Sequence, residues 1–281
     1  MKVIPSKEGI KEAVARHRSA GQTIGLVPTM GALHQGHLSL VNAARSSSDI
    51  VVVSIFVNPT QFNNTADLER YPRTLDKDLA LLEQAGVDYV FVPEVSEMYP
   101  SPSVLKFDFG PLERTLEGQF RPGHFNGVGI VVSKLFHIVQ PTQAYFGQKD
   151  LQQVAVIRHL IRDLSFDLVI TVVPTLREED GLALSSRNTL LSDEGRRLAP
   201  FIYKSLLQAK DELLRGANWF DVRKQIEALY QSEPLIRLEY FELVKSDSME
   251  VASALNDRDT YAICTACYIG EIRLIDNLIL A

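Results

Sequence analysis

The sequence predicts an α/β protein, a doubly wound parallel sheet followed by a smaller C-terminal α+β domain. Three observations carry this. Short apolar runs alternate with helix-length amphipathic stretches as far as Pro174. The apolar runs are continuous rather than alternating, as in strands covered on both faces. Beyond Pro174 the order changes to helices followed by strands.

TIGLVP (23–28) reads as a buried strand, HLSLVNAARSSS (37–48) as a helix and DIVVVSIFVNP (49–59) as the next strand. LDKDLALLEQAG (75–86) is a helix closed by Gly86, and VDYVFVP (87–93) a strand closed by Pro93. A helix over 127–141, a strand over QAYFG (143–147), a helix over 150–164 and a strand over FDLVITVVP (166–174) complete the βα units. Such units build a Rossmann-like sheet whose ligands sit at the carboxyl ends of the strands. SDEGRRLAPFIYKSLLQAKDELLRGA (192–217) opens on an N-cap signal, Ser192 before Asp193 and Glu194, and reads as one long helix. A second helix covers 219–232, and strand-like runs follow at 236–245, 260–270 and 271–280, the last two joined at Gly270. The expected domains are 1–174 and 175–281, with no flexible linker between them, so they should share a cleft.

Composition narrows the function. With 46% hydrophobic and 23% charged residues, a chain of 281 residues can bury a large core without staples. A formal net charge of −6 argues against a nucleic-acid partner, which calls for a basic face. No run of about 18 apolar residues suggests a membrane span. MKVIPSKEGIKEAV lacks the apolar stretch of a signal peptide, so a cytoplasmic protein is expected. Cys264 and Cys267 form C-x-x-C inside a strand-like run, where residues three apart face opposite sides. They read as two small buried residues rather than a zinc or redox pair.

PTMGALHQGHLSL (28–40) places His34 and His37 between the end of a buried strand and the start of a helix, flanked by Gly31 and Gly36. A helix N-terminus at a strand's carboxyl end offers free N–H donors and a positive dipole end, which suit phosphate. Two imidazoles there add donors, and phosphate charge would favour their protonation. A metal site is the weaker reading, because a third ligand is missing and H-x-x-H here is not the i, i+4 face of a zinc helix. A purely structural polar pair stays open on these residues alone.

PTMGALHQGHLSLV resembles the H-x-G-H signature of the nucleotidyltransferase superfamily that includes class I aminoacyl-tRNA synthetases. SIFVNPTQF (54–62), AYFGQKDLQQ (144–153) and DGLALSSRN (180–188), in that order, resemble the pantoate–β-alanine ligase (pantothenate synthetase) family within it. YPRTLDKD and EGQFRPGHFNGVGIVVSKLF between them do so too, while NNTAD (63–67) departs from the family's usual Gly- and Glu-containing stretch.

The resemblance implies an AMP-forming ligase that joins pantoate to β-alanine through a pantoyl adenylate, with ATP as substrate and magnesium as its partner. Met30, Gly31, Ala32, Leu33, His34, Gln35, Gly36 and His37 would line the ATP site, with His34 and His37 on the phosphates and His37 the donor to developing charge. The ATP site would continue through Gly147, Gln148, Lys149 and Asp150, with Lys149 on the phosphates and Asp150 on ribose hydroxyls or merely capping a helix. Leu176 is carried over to the adenine side. Leu184, Ser185, Ser186 and Arg187 correspond to a mobile phosphate-binding loop, with Arg187 supplying charge. His37, His34, Lys149 and Arg187 are thus the candidate catalytic residues, and Gln61 and Gln153 the candidate pantoate ligands. Asn58, Arg121 and His124 sit in matching stretches without a definite role. No protein metal ligand is expected, since Asp76 and Asp78 read as an exposed acidic helix start. A homodimer is implied, and the second domain is expected to close over the nucleotide.

Two rivals remain. One is a nucleotidyltransferase of the same superfamily that keeps the nucleotide on its product, against which the two glutamines argue. The other is an ATP-binding regulatory module, against which the intact set of phosphate donors argues.

Overall fold

The computed structural model describes residues 1–280. Strands β1 (Lys2–Ile4), β2 (Ile24–Thr29), β3 (Ile50–Ile55), β4 (Tyr89–Phe91), β5 (Gln143–Gly147) and β6 (Val169–Val173) form a six-stranded sheet in the order β1-β4-β3-β2-β5-β6. Every pairing in it is parallel. Helices α1 (Lys7–Ser19), α2 (Gln35–Ser47), α3 (Thr65–Arg70), α4 (Leu75–Gln84), α5 (Val95–Met98), α6 (Leu116–Phe120), α7 (His124–Val139) and α8 (Leu151–Asp163) connect the strands.

The expected α/β class holds, and the continuous apolar runs have the expected cause. Neighbours on one strand serve opposite faces: Leu26 and Val52 pack with Ile10, Phe136 and Ile157, while Val27 and Val53 pack with Val41 and Leu82. Strands β3 and β5 pair with the two edges of β2, so the connection order reverses there and opens a crevice above those strand ends.

The first strand and helix are not evident in the sequence pattern. Strand β1 has only three residues. In α1 the apolar stripe is narrow, Ile10, Ala13 and Val14, and the charges around it mask the period. Its caps are nonetheless regular: Ser6 accepts from the Gly9 amide, Glu8 lies in the first turn, and Arg16, His17 and Arg18 lie in the last.

The remainder builds a second unit from α9 (Asp193–Leu198), α10 (Phe201–Leu214) and α11 (Trp219–Gln231) on an antiparallel sheet of β7 (Ile236–Lys245), β8 (Tyr261–Ile269) and β9 (Ile272–Leu280). Ser192 caps as its sequence suggests, accepting from the Gly195 amide. The single long helix expected over 192–217 is divided into α9 and α10 at Pro200, which has no N–H to continue the ladder. Cys264 and Cys267 are both buried and unbridged. They do serve opposite faces, Cys267 in the core of the second unit and Cys264 in an apolar seam against the first. That seam sets Leu116, Phe125, Leu151 and Ala155 against Tyr240, Val244 and Ala266, so the two units meet over a dry surface as well as a cleft.

Candidate active site

A cavity of about 220 Å³ opens at the carboxyl ends of β2, β5 and β6, walled by Thr29, Gly147 and Pro174 among others. This is the crevice that the strand order demands. Helix α2 begins beside it at Gln35, two residues earlier than expected, so His34 is its N-cap and His37 lies in its first turn.

The two imidazoles cap the helix reciprocally. His34 Nδ1 accepts from the Gly36 amide at 3.1 Å, and His37 Nδ1 accepts from the His34 amide at 3.3 Å. An amide N–H can only donate, so the neutral rings carry their protons on Nε2. Capping and ligand binding are therefore compatible, each using a different ring nitrogen. The ring centroids lie 4.1 Å apart. A Cβ on Gly36 would come within 2.9 Å of the His34 ring, so this glycine makes room for the imidazole. Burial first, then the Lys149 ammonium, lowers His34 to about 4, with Asp150 opposing. Burial, His34 and Lys149 lower His37 to about 3. Both rings are neutral N–H donors at neutral pH in the chain by itself, rather than the cations expected beside phosphate.

The preceding loop has an anchor that the sequence did not reveal. Gly31 (φ 81) and Ala32 (φ 50) are both left-handed. Ala32 and Leu33 donate their amides to Asp78 at 2.9 and 2.8 Å, and Thr74 adds its hydroxyl at 3.1 Å. Asp78 is 1% exposed, so it is not part of an exposed acidic helix start. Gly31, Ala32 and Leu33 consequently lie off the cavity wall; Gln35 is exposed outside it, and Gln148 turns toward Asn277 at 3.4 Å. Met30, His34, Gly36, His37, Gly147, Lys149, Asp150, Leu176, Leu184, Ser185, Ser186 and Arg187 are on it.

Lys149 and Asp150 end a short turn after β5, with Nζ 3.5 Å from Oδ1. Asp150 stands at the N-cap of α8 but makes no capping hydrogen bond, which leaves its carboxylate to the cavity. Ser186 donates to the Ala32 carbonyl at 3.0 Å, joining the LSSRN segment to the histidine loop. Ser185 accepts from the Arg187 amide at 3.3 Å. The Arg187 guanidinium pairs with Asp67 at 2.9 Å and lies 5.7 Å from the Tyr71 ring centroid, so it leans on the helix formed by the divergent NNTAD stretch. Thr175, beside Leu176, has a buried hydroxyl oxygen without a partner. A ligand polar atom at this end of the cavity would satisfy it.

Gln61 and Gln153 both line this cavity, although one follows β3 and the other lies in α8. Three residues given no role by the sequence position Gln61. Asn58, 1% exposed, accepts from Tyr99 at 2.8 Å and donates to Gln61 Oε1 at 3.1 Å. The Gln61 amide nitrogen is thereby left facing Met30 Sδ at 3.1 Å. His124 donates from Nδ1 to the Gln61 carbonyl at 2.8 Å and accepts from Arg121 at Nε2 at 3.2 Å. Arg121 pairs with Glu117 at 3.4 Å, and Arg273 of β9 reaches the same carboxylate at 2.7 Å. Burial alone would raise Glu117, but the Arg273 hydrogen bonds and charge, with Arg121 and Tyr240, bring it down to about 2. Gly127 lets α7 approach this far: a Cβ there would stand 2.3 Å from the Thr60 carbonyl oxygen. Gln152, the neighbour of Gln153, is a buried brace that bonds the Leu112 and Thr115 carbonyls at 2.8 and 3.0 Å.

Comparison with known proteins identifies the family. Residues 2–279 match the family model described as pantoate-beta-alanine ligase. The pantothenate synthetase of Thermosipho africanus is 49% identical over 280 residues, covering 100% of both chains. That of Bacteroides thetaiotaomicron is 46% identical, covering 99% of this chain and 98% of its own. Among solved structures, pantothenate synthetase from Thermus thermophilus superposes with a TM-score of 0.92 at 43% identity, covering 100% of this chain and 99% of its own. The Francisella tularensis pantoate-beta-alanine ligase complexed with beta-gamma ATP and beta-alanine gives 0.80 at 37% identity, covering 100% and 98%. With the match running from end to end and the fold shared with the solved pantothenate synthetases, the chain belongs to the pantoate–β-alanine ligase family.

Proposed function

We infer that this cavity joins pantoate to β-alanine at the expense of ATP, releasing AMP and pyrophosphate by way of a pantoyl adenylate. The observation that carries the mechanism is the division of labour in the two imidazoles. Each Nδ1 holds the helix start, and each Nε2–H remains a donor beside Lys149 in one cavity with Gln61 and Gln153.

In the first step a carboxylate oxygen of pantoate attacks the α-phosphorus and the bond to pyrophosphate breaks. Gln61 and Gln153 hold pantoate with neutral amides, which orient the nucleophile without neutralising it. His34, His37, Lys149 and Arg187 take up charge on the phosphates as it shifts toward the leaving group. Arg187 exchanges Asp67 for phosphate, and Lys149, on its flexible stem, follows the charge. In the second step the β-alanine nitrogen bonds to the acyl carbon and AMP departs. Ser185 and Ser186 border the phosphates, Asp150 faces the ribose, and Leu176 lies on the adenine side.

Magnesium fits as a companion of the triphosphate rather than a resident of the chain. Among the described residues no three His, Cys, Asp or Glu side chains converge on a metal site, and Asp150 is the acidic group on the cavity wall. Bound with ATP, the ion screens phosphate charge. Residues 175–281 act as the lid of the 1–174 domain in this reading, hinged on the apolar seam and carrying LSSRN toward the nucleotide. A cytoplasmic homodimer belongs to the same proposal; no described helix is long and apolar enough to cross a membrane.

Isotope exchange between pyrophosphate and ATP, with magnesium and pantoate present and β-alanine absent, tests the adenylate. Exchange that depends on pantoate is expected. Its absence from protein that binds ATP would overturn the two-step mechanism.

A further inference from the structure

Strand β9 reaches out of the second unit to the backbone of the lysine turn and, within its own unit, holds the Arg177 side chain ahead of LSSRN. Asn277, 2% exposed, donates from Nδ2 to the carbonyl oxygens of Gln148 and Lys149 at 3.0 and 2.8 Å. Carbonyls only accept, so these two bonds fix which way the amide faces. Asp276 beside it, 4% exposed, accepts the Asn277 amide at 2.8 Å and binds Arg177 through both oxygens at 2.6 and 2.9 Å. Arg177 returns to the Asn277 carbonyl at 3.2 Å and stacks 3.8 Å from the Tyr203 ring centroid. It also opens a small hairpin, bridged to Ala183 and closed by the Leu184 amide on the Leu176 carbonyl at 3.0 Å. That hairpin delivers the chain to Ser185 and Arg187.

The segment bearing Lys149 is a turn of three residues, Gln148–Asp150, without a side-chain cap of its own. Neither Asp276 nor Asn277 lines the cavity that holds His34 and His37, although Asp276 lines an adjacent one of about 330 Å³. We propose that Asn277 is a positioning residue for Lys149, oriented by Asp276, and that the second unit thereby sets the geometry of the phosphate-binding cation. The proposal rests on the reading of Lys149 as that cation. A displacement of about 1 Å in such a group costs up to about a hundredfold in rate.

The test is pantoate-dependent pyrophosphate exchange in Asn277→Ala, Lys149→Ala and the double variant, with thermal melting of each. Asn277→Ala is expected to lower kcat about 10- to 100-fold, with the KM for pantoate essentially unchanged. In the Lys149→Ala background the same substitution is expected to add almost nothing, because the group it positions is gone. Should the alanine variant not fold, Asn277→Asp keeps the shape but not the donors, and the same comparison is made with it. An unchanged kcat in Asn277→Ala, or losses that multiply in the double variant, would overturn the positioning role while leaving Lys149 its own. Full exchange by Lys149→Ala would instead overturn the role of Lys149, and the proposal with it.

Discussion

The histidine loop and the lysine turn stand on one cavity but are held in opposite ways. Residues 30–37 are fixed chiefly from within the first unit: Asp78 takes two loop amides, the imidazoles cap their own helix, and the second unit adds one bond, from Ser186 to the Ala32 carbonyl. The turn at 148–150 is held by Asn277, whose side chain arrives from the last strand of the second unit. A loop braced mostly within its own unit keeps most of its bonds if the second unit moves. A borrowed one has this bracing only while the two units are docked, so it can couple docking to the arrangement of charge.

The largest expected effect lies in the self-braced loop. His37→Ala removes both an Nε2–H donor and the acceptor of the His34 amide. Loss of one donor to developing charge lowers kcat by about a hundredfold or more, and loss of the cap lowers stability by about 1 kcal/mol. The exchange rate and a urea titration measure the two separately. A variant that keeps kcat within about threefold, far short of the loss of a transition-state donor, would remove His37 from the chemistry and leave it a cap alone.

Asp78→Asn sharpens the comparison at its anchor. The amide keeps the shape, but one oxygen that accepts from Ala32 or Leu33 becomes a donor facing a buried amide. Leaving such a pair unmatched costs about 1–3 kcal/mol, more when the lost acceptor was charged. With Ala32 already left-handed, the loop is expected to relax, and kcat to fall about tenfold. Thermal melting and exchange kinetics check both. Full activity with full stability would mean that the capping bonds alone hold the loop.

This difference also explains what can be read from the sequence. The strand–loop–helix around His34 and His37 is contiguous, so apolar runs and glycines place it at the mouth of the sheet. Asp78 is 45 residues past Leu33, and in the linear pattern LDKD looks like any acidic helix start. Asn277 belongs to an apolar C-terminal strand in which nothing marks one polar residue as reaching another unit. Gln61 is legible through its motif. Its supports, Asn58 and His124, act by side-chain bonds to a neighbouring amide and a carbonyl, and such contacts have no period. The break at Pro200 is legible in principle, since proline lacks the donor that a continuous helix needs. Helix α1 is hidden by the charges around its narrow stripe.

His124 offers the smallest effect and a signed one. It is 6% exposed, and its bonds to the Gln61 carbonyl and to Arg121 require the neutral ring protonated on Nδ1. Burial and then the Arg121 charge lower it to about 3, against the opposing pull of the Gln61 carbonyl, Glu117 and Asp150. The folded value is depressed, so as pH falls the unfolded chain takes up the proton first. Stability from this group is complete above the unfolded value of about 6.5 and is lost as pH falls from there toward 3. Between about pH 7.5 and 5 the loss for one such ring is about 2 kcal/mol. His34 and His37 carry shifts of the same sign, so the wild-type slope is a sum. His124→Gln, whose amide can donate to Gln61 and accept from Arg121 but does not titrate, is expected to remove only its own share. Urea unfolding of both proteins across that range reads the difference directly. Parallel curves would mean that His124 takes up its proton in the fold as readily as in the unfolded chain, and the Arg121 bond that braces Gln61 would have to be redrawn.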